Sequence, residues 1–288
     1  MRLTIEELFD GFEVAADIKK IALVFSGTIL GWVIFMLFVW LGGLTKNDIV
    51  LGVFSVVGYA IYYLFCVTTM ASSNRMVYKE LTTGEKLTVK DGFEFTKKNI
   101  GSVIFSPLAL FLVITLALAV EFLLFMFGRF DFGAVIISIL TAPAVMLNAL
   151  LFACAVFGSL LTLAIISVDE SGIIATVARI YKIARQASIP FIMYMSLALL
   201  LGLAASAIIA LIFVLAVSIT VLLFGTASQI FINLSAMEVP SLSLPLQAAT
   251  IISVLSIYLL AGLVFSYPAV LLQSFATSIY LKIKELVK

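Results

Sequence analysis

The chain has 288 residues, 64% hydrophobic and 11% charged, with a mean hydropathy of +1.26 and a net charge of +1. A soluble domain is about half apolar and about a quarter charged, so this excess cannot be buried in one aqueous core, and the solvent of the fold is lipid. There is no histidine, which removes the usual haem ligand, the commonest zinc ligand and the usual general base.

Residues 4–19 predict an amphipathic helix. Thr4 and Glu7 have capping-box spacing. Ile5, Leu8, Phe9, Phe12 and Ala15/Ala16 form an apolar stripe, and Glu6, Asp10, Glu13 and Asp17 an acidic one. Anionic headgroups would repel that acidic face, so the helix is expected to pack on its own bundle or to meet a partner. Five acids precede the first apolar run, unlike the basic start of a signal peptide, so the first span is expected to be retained.

Span 1 runs from about Ile21 to Leu41, the roughly 20 residues that cross about 30 Å of hydrocarbon. It holds Gly27-x-x-x-Gly31, a close-packing face, and places Trp40 at an interfacial belt. The short loop 42–48 returns the chain as span 2, about Ile49 to Met70. A second amphipathic helix follows, opened by Thr88 and Asp91 and striped by Val89, Phe93, Thr96 and Ile100. It repeats the Asp-Gly-Phe-Glu of residues 10–13 at residues 91–94, ahead of a Lys-Lys pair, as in the first copy.

Span 3 is about Ile104 to Phe127, with Pro107 in its first turns. The apolar run from Ala134 to Val168 is too short for two spans and a turn, which need roughly 38 residues or more. Pro143 is expected to divide it into an approach segment and span 4. A third, basic copy follows: Ser167 and Glu170 at the cap, Ile173, Val177, Ile180/Tyr181 and Ala184 as the stripe, flanked by Arg179, Lys182 and Arg185. Span 5 runs from Pro190 to Phe224, with Ala198, Gly202, Ser206 and Ala210 as a small-residue face. The loop 225–247 is apolar, contains Glu238 and a formal sequon at Asn233-Leu234-Ser235, and is expected on the membrane surface or over the bundle. Span 6 covers about Ala249 to Ile279, with a kink expected at Pro268.

The predicted fold is all-α: six transmembrane helices in one membrane domain, arranged as three repeats of amphipathic helix plus hairpin (1–72, 73–168, 169–288). Fifteen of the 17 basic residues lie in the N-terminus, 73–100, 169–188 and the tail, with only Lys46 and Arg129 in the alternate loops. That asymmetry predicts both termini and all three amphipathic helices on the cytoplasmic side. The repeats would then be parallel, related by an axis along the membrane normal.

Two stretches, Glu170-Ser171-Gly172-Ile173 through Arg179-Ile-Tyr-Lys-Ile-Ala-Arg185 and Ala276-Thr-Ser-Ile-Tyr280-Leu-Lys-Ile-Lys284, resemble a broad prokaryotic family of six-span membrane proteins. That family includes the membrane domain attached to some glycerophosphodiester phosphodiesterases; it often has Trp where Tyr181 stands. The resemblance implies residence in the prokaryotic cytoplasmic (inner) membrane and an accessory role. The phosphodiesterase domain is not in this sequence, so no catalytic residue carries over.

Glu121 is the charged residue inside a span, and intramembrane acids are candidates for function by default. It lies about 26 Å along span 3 from Ile104, near the outer interface, where headgroups or Arg129 are also within reach. Asn148 reads as an interhelical hydrogen-bonding residue or, with Glu121, as the lining of an outward polar pocket. Cys66 and Cys154 read as small apolar residues within helices. Three charges on the third amphipathic helix fall below the four to eight of a specific anionic-lipid site, and read first as positive-inside bias. No catalytic, cofactor or metal constellation is recognisable. The expectation is a non-enzymatic accessory or scaffold subunit in contact with membrane lipids and with protein partners or copies of itself, without nucleic acid. The alternative is a transporter or lipid-handling permease for a small or apolar substrate.

Overall fold

A computed structural model describes residues 5–126, 129–228 and 244–287. All regular structure among them is helical: α1 (Ile5–Ala15), α2 (Ile18–Leu44), α3 (Asp48–Thr83), α4 (Val89–Lys98), α5 (Ile100–Met126), α6 (Asp131–Asp169), α7 (Ile173–Gln186), α8 (Ser188–Ser228) and α9 (Leu244–Leu286). Six of them, α2, α3, α5, α6, α8 and α9, are long and apolar enough to cross a membrane. Each of α1, α4 and α7 precedes a pair of long helices.

The second members of the three pairs meet one another, chiefly at their C-terminal ends. Helices α3, α6 and α9 pack on one another, and α2, α5 and α8 each pack on the long helix that follows. These three helices, α3, α6 and α9, run 36, 39 and 43 residues, about 54 to 65 Å, so they overshoot the hydrocarbon. Their C-terminal ends carry the core: Val77 from α3, Leu161 and Ile165 from α6, Phe275, Ile279 and Ile283 from α9. Elsewhere Val56, Phe122, Ile139 and Met146 point outwards, as lipid-facing residues do.

Small residues set the helix spacing. A Cβ on Gly27 would stand 2.2 Å from Thr69 Oγ1, and one on Gly31 3.1 Å from the Tyr62 and Phe65 side chains, so this predicted face is the α2–α3 contact. Ala198 is buried and Gly202 lies under Leu272, while Ser206 and Ala210 are half-buried. The Ser206 hydroxyl donates to the Gly202 carbonyl at 2.6 Å.

Several local expectations are corrected. Pro143 does not divide the fourth apolar run; α6 continues through it, as membrane helices tolerate proline when neighbouring groups absorb the lost bond. Ser167 and Glu170 form no capping box: α6 runs through Ser167 and ends on Glu170 in the left-handed region (φ 49°). Gly172 is the cap residue of α7, without a side-chain cap. The buried side of α7 is Thr176, Ile180 and Ile183, and Tyr181 faces out. In α4 the stripe is turned: Gly92, Phe95 and Thr96 are buried, and Phe93 is exposed. Gly92 causes this. A Cβ there would lie 2.9 Å from the Ser72 carbonyl oxygen, so the glycine edge of α4 sits directly on α3. The Thr88–Asp91 capping box is present with both reciprocal bonds. Cys66 and Cys154 are free. The Thr4 cap, the Glu6 side chain, the 229–243 part of the loop with its sequon and Glu238 lie outside the described residues.

Candidate functional site

Three polar features and one groove could carry chemistry. The first is the predicted intramembrane pair. Glu121, on α5, is nine-tenths buried, and Asn148 Nδ2, on α6, donates to its Oε1 at 2.9 Å. The other two oxygens, Glu121 Oε2 and Asn148 Oδ1, are buried without a hydrogen-bond partner. The pair reads as an α5–α6 crosslink.

The second feature is an ionic layer at the end of the bundle where α1, α4 and α7 lie. Lys20, fully buried at the start of α2, donates to the Val14 carbonyl at 2.8 Å and to Glu80 of α3. Arg75 of α3 donates to Glu170 at 3.0 Å and to the Ser167 carbonyl, with its guanidinium 4.5 Å from the Phe95 ring centre. Lys98 of α4 completes the Glu170 cluster at 3.0 Å. Its hydrogen bond, followed by the Arg75 charge, holds the Glu170 carboxyl below the ordinary carboxylate range. Asp91 is likewise lowered, by the hydrogen bonds from Thr88. Asp169 accepts from the Tyr280 hydroxyl and from Lys284, joining α6 to α9. A buried α3–α9 contact, Thr277 donating to Asn74 Oδ1, lies beside these clusters.

The third feature is the acidic helix. Phe12 meets Phe275 edge-on, with ring centres 5.1 Å apart, and Gly11 abuts Phe275 and Ser274, so α1 is fixed on α9. Asp10 and Glu13 are exposed and form no ion pair among the described residues. Asp17 departs from that stripe: it is the N-cap of α2, accepting from the Lys19 amide at 2.9 Å. On α7, Arg179 leans towards α9, Lys182 is half-buried and Arg185 is exposed.

The groove lies at membrane depth. Two adjoining cavities, of about 300 and 460 Å³, share Thr28, Gly262 and Phe265 between α2, α3 and α9. The inner part is edged by Tyr59, Tyr62, Tyr63 and Cys66; the outer part is apolar, flanked by Trp32 stacked on Tyr258 at 6.1 Å. Sequence patterns did not single out this groove. Its one local signal is the cluster of three tyrosines within span 2.

Comparison of the chain with protein-family models, with curated proteins and with solved structures yields no match in any of the three.

Proposed function

We propose that the chain is a non-enzymatic integral membrane protein that serves as an accessory subunit of a larger assembly, docking a partner on the outer face of α1. The observation that carries this reading is the pair Asp10 and Glu13, exposed, without ion pairs among the described residues, and on a helix seated on α9. An acidic face at a bilayer surface is repelled by anionic lipid and attracts a basic protein segment. The charge asymmetry and the family resemblance add a residence in the prokaryotic cytoplasmic membrane, with both termini inside and three parallel repeats. Native mass spectrometry after gentle solubilisation tests the role. A partner held in fixed stoichiometry by the wild type and lost from D10K/E13K is the expected result. A single chain without a protein partner overturns it. Orientation is read by cysteine labelling in a C66A/C154A background. Glu85→Cys and Asp131→Cys are expected to label from opposite sides, and labelling from one side sinks the orientation.

A second reading, a lipid-handling permease, is favoured by the α2–α3–α9 groove, which is apolar towards the bilayer and lined by hydroxyls within. A chain that co-purifies with one defined lipid, released by Gly262→Leu, would select it.

A further inference from the structure

Helix α7 carries Arg179, Lys182 and Arg185 and no acid. Its Ile180 reaches Gly158 of α6, where a Cβ would stand 3.4 Å from Ile180 Cγ2, and Leu110 of α5 contacts the same glycine. Those positions lie about three turns inside the ends of α6 and α5. The opposite face of α7 exposes Ile174 and Tyr181, at 84% and 66%. An apolar face turned outwards at that depth meets lipid, with tyrosine at the interface, so the cations of α7 stand at headgroup level.

The same cations are underused by the protein. None of the three forms an ion pair among the described residues. Arg179 makes only two long contacts, from Nε to the Tyr280 hydroxyl and from Nη1 to the Val287 carbonyl, both 3.4 Å. Among the described residues no hydrogen bond is made by its Nη2 amino group. Beside it opens a cleft of about 550 Å³ between α6, α7 and α9, lined by Asp169, Ser171, Ala175, Arg179 and Lys284. Three cations on one helix fall short of an anionic-lipid site; α9 adds Lys284 as a fourth, which is itself paired with Asp169.

We propose that this cleft holds the phosphate of an anionic phospholipid from the leaflet on the side of the termini. Arg179 donates from its guanidinium, whose fork matches two phosphate oxygens and whose two hydrogen bonds among the described residues are long. Lys284 supplies a second charge across the cleft. Lys182 and Arg185 raise the local potential, and Ile174 and Tyr181 lie among the acyl chains. The site is separate from the acidic face of α1 and does not depend on the accessory role.

The test uses the full chain in nanodiscs of phosphatidylcholine with a rising fraction of phosphatidylglycerol, and native mass spectrometry reads the lipids retained on release. The wild type is expected to retain phosphatidylglycerol preferentially. R179Q loses about fivefold of that preference, and K182Q/R185Q at least as much, each cation near the surface contributing about that factor. K97Q, which removes an exposed cation of α4, leaves it unchanged. If R179Q does not yield monodisperse protein, K182Q/R185Q decides, because neither side chain makes a hydrogen bond or ion pair among the described residues. Equal retention of the two lipids by the wild type, or an unchanged preference in the variants, overturns the proposal. Excess inorganic phosphate separates the sources: retained lipid supports a headgroup site, and complete displacement assigns the cleft to free phosphate and overturns the lipid assignment.

Discussion

Lys20 and Glu80 form an ion pair across the α2–α3 hairpin, 60 residues apart in the chain, and the lysine is fully buried. Lys20 also holds the Val14 carbonyl, so one side chain ties the end of α1 to α2 and α3. A buried pair is weak evidence of net stabilisation, but removing Lys20 leaves Glu80 with the exposed Lys86, at 3.6 Å, as its remaining countercharge among the described residues. K20M is therefore expected to cost less than the roughly 3–5 kcal/mol of a buried charge left fully uncompensated. K20M/E80L should recover most of it. Melting of detergent-solubilised protein across the double-mutant cycle measures the coupling, and strictly additive losses would contradict the pairing.

Asn148 and Glu121 form a corresponding link between α5 and α6. Asn148→Ala leaves the carboxylate without its donor and is expected to cost about 1–2 kcal/mol, the range of an intramembrane polar contact. Glu121→Ala with Asn148→Ala should cost less than the sum of the two single changes. If the pair were a functional pocket rather than a crosslink, activity or complex formation would fall while the melting temperature stayed put.

Gly27 is the tightest glycine in the hairpin. Its alanine variant drives a Cβ to 2.2 Å from Thr69 Oγ1, so α2 and α3 must separate. The expected loss is about 1–3 kcal/mol, as for other overpacked contacts, and G27A/T69A should regain part of it. Gly52, with nothing within 4 Å of its Cβ position, is the control. G52A should be neutral or stabilising by up to about 1 kcal/mol, since alanine loses less backbone freedom in a helix. Equal effects at the two positions would remove the packing argument.

Glu170 gives the acid dependence its sign. Its folded-state value is depressed, so its contribution is present above the unfolded value of 4.5 and is lost as the pH falls through the lower folded value. With 37% of its side chain exposed, solvent screens the cluster, and the effect is expected below about 1 kcal/mol. Melting temperatures of wild type and E170Q should differ at neutral pH and converge at acidic pH. A constant difference across that range would show that the Arg75 and Lys98 contacts do not act through charge.

The sequence by itself determined the number of spans, the helical class and the side on which positive charge gathers. These follow from composition and length over stretches of about 20 residues, because the bilayer acts on each apolar segment separately. It also located the Thr88–Asp91 cap and the Gly27/Gly31 face, whose signals lie within one helix. Only the tertiary structure decided which face of α4 is buried, because both Phe93 and Phe95 are apolar and the choice rests on Gly92 meeting the Ser72 carbonyl. The same holds for Glu170, which looked like a helix start. It is instead the end of α6 and the partner of Arg75, 95 residues away. The ties from Asp169 to Tyr280 and Lys284 span more than 100 residues. Pairing over such distances is set by which helices pack together, and no local pattern records it.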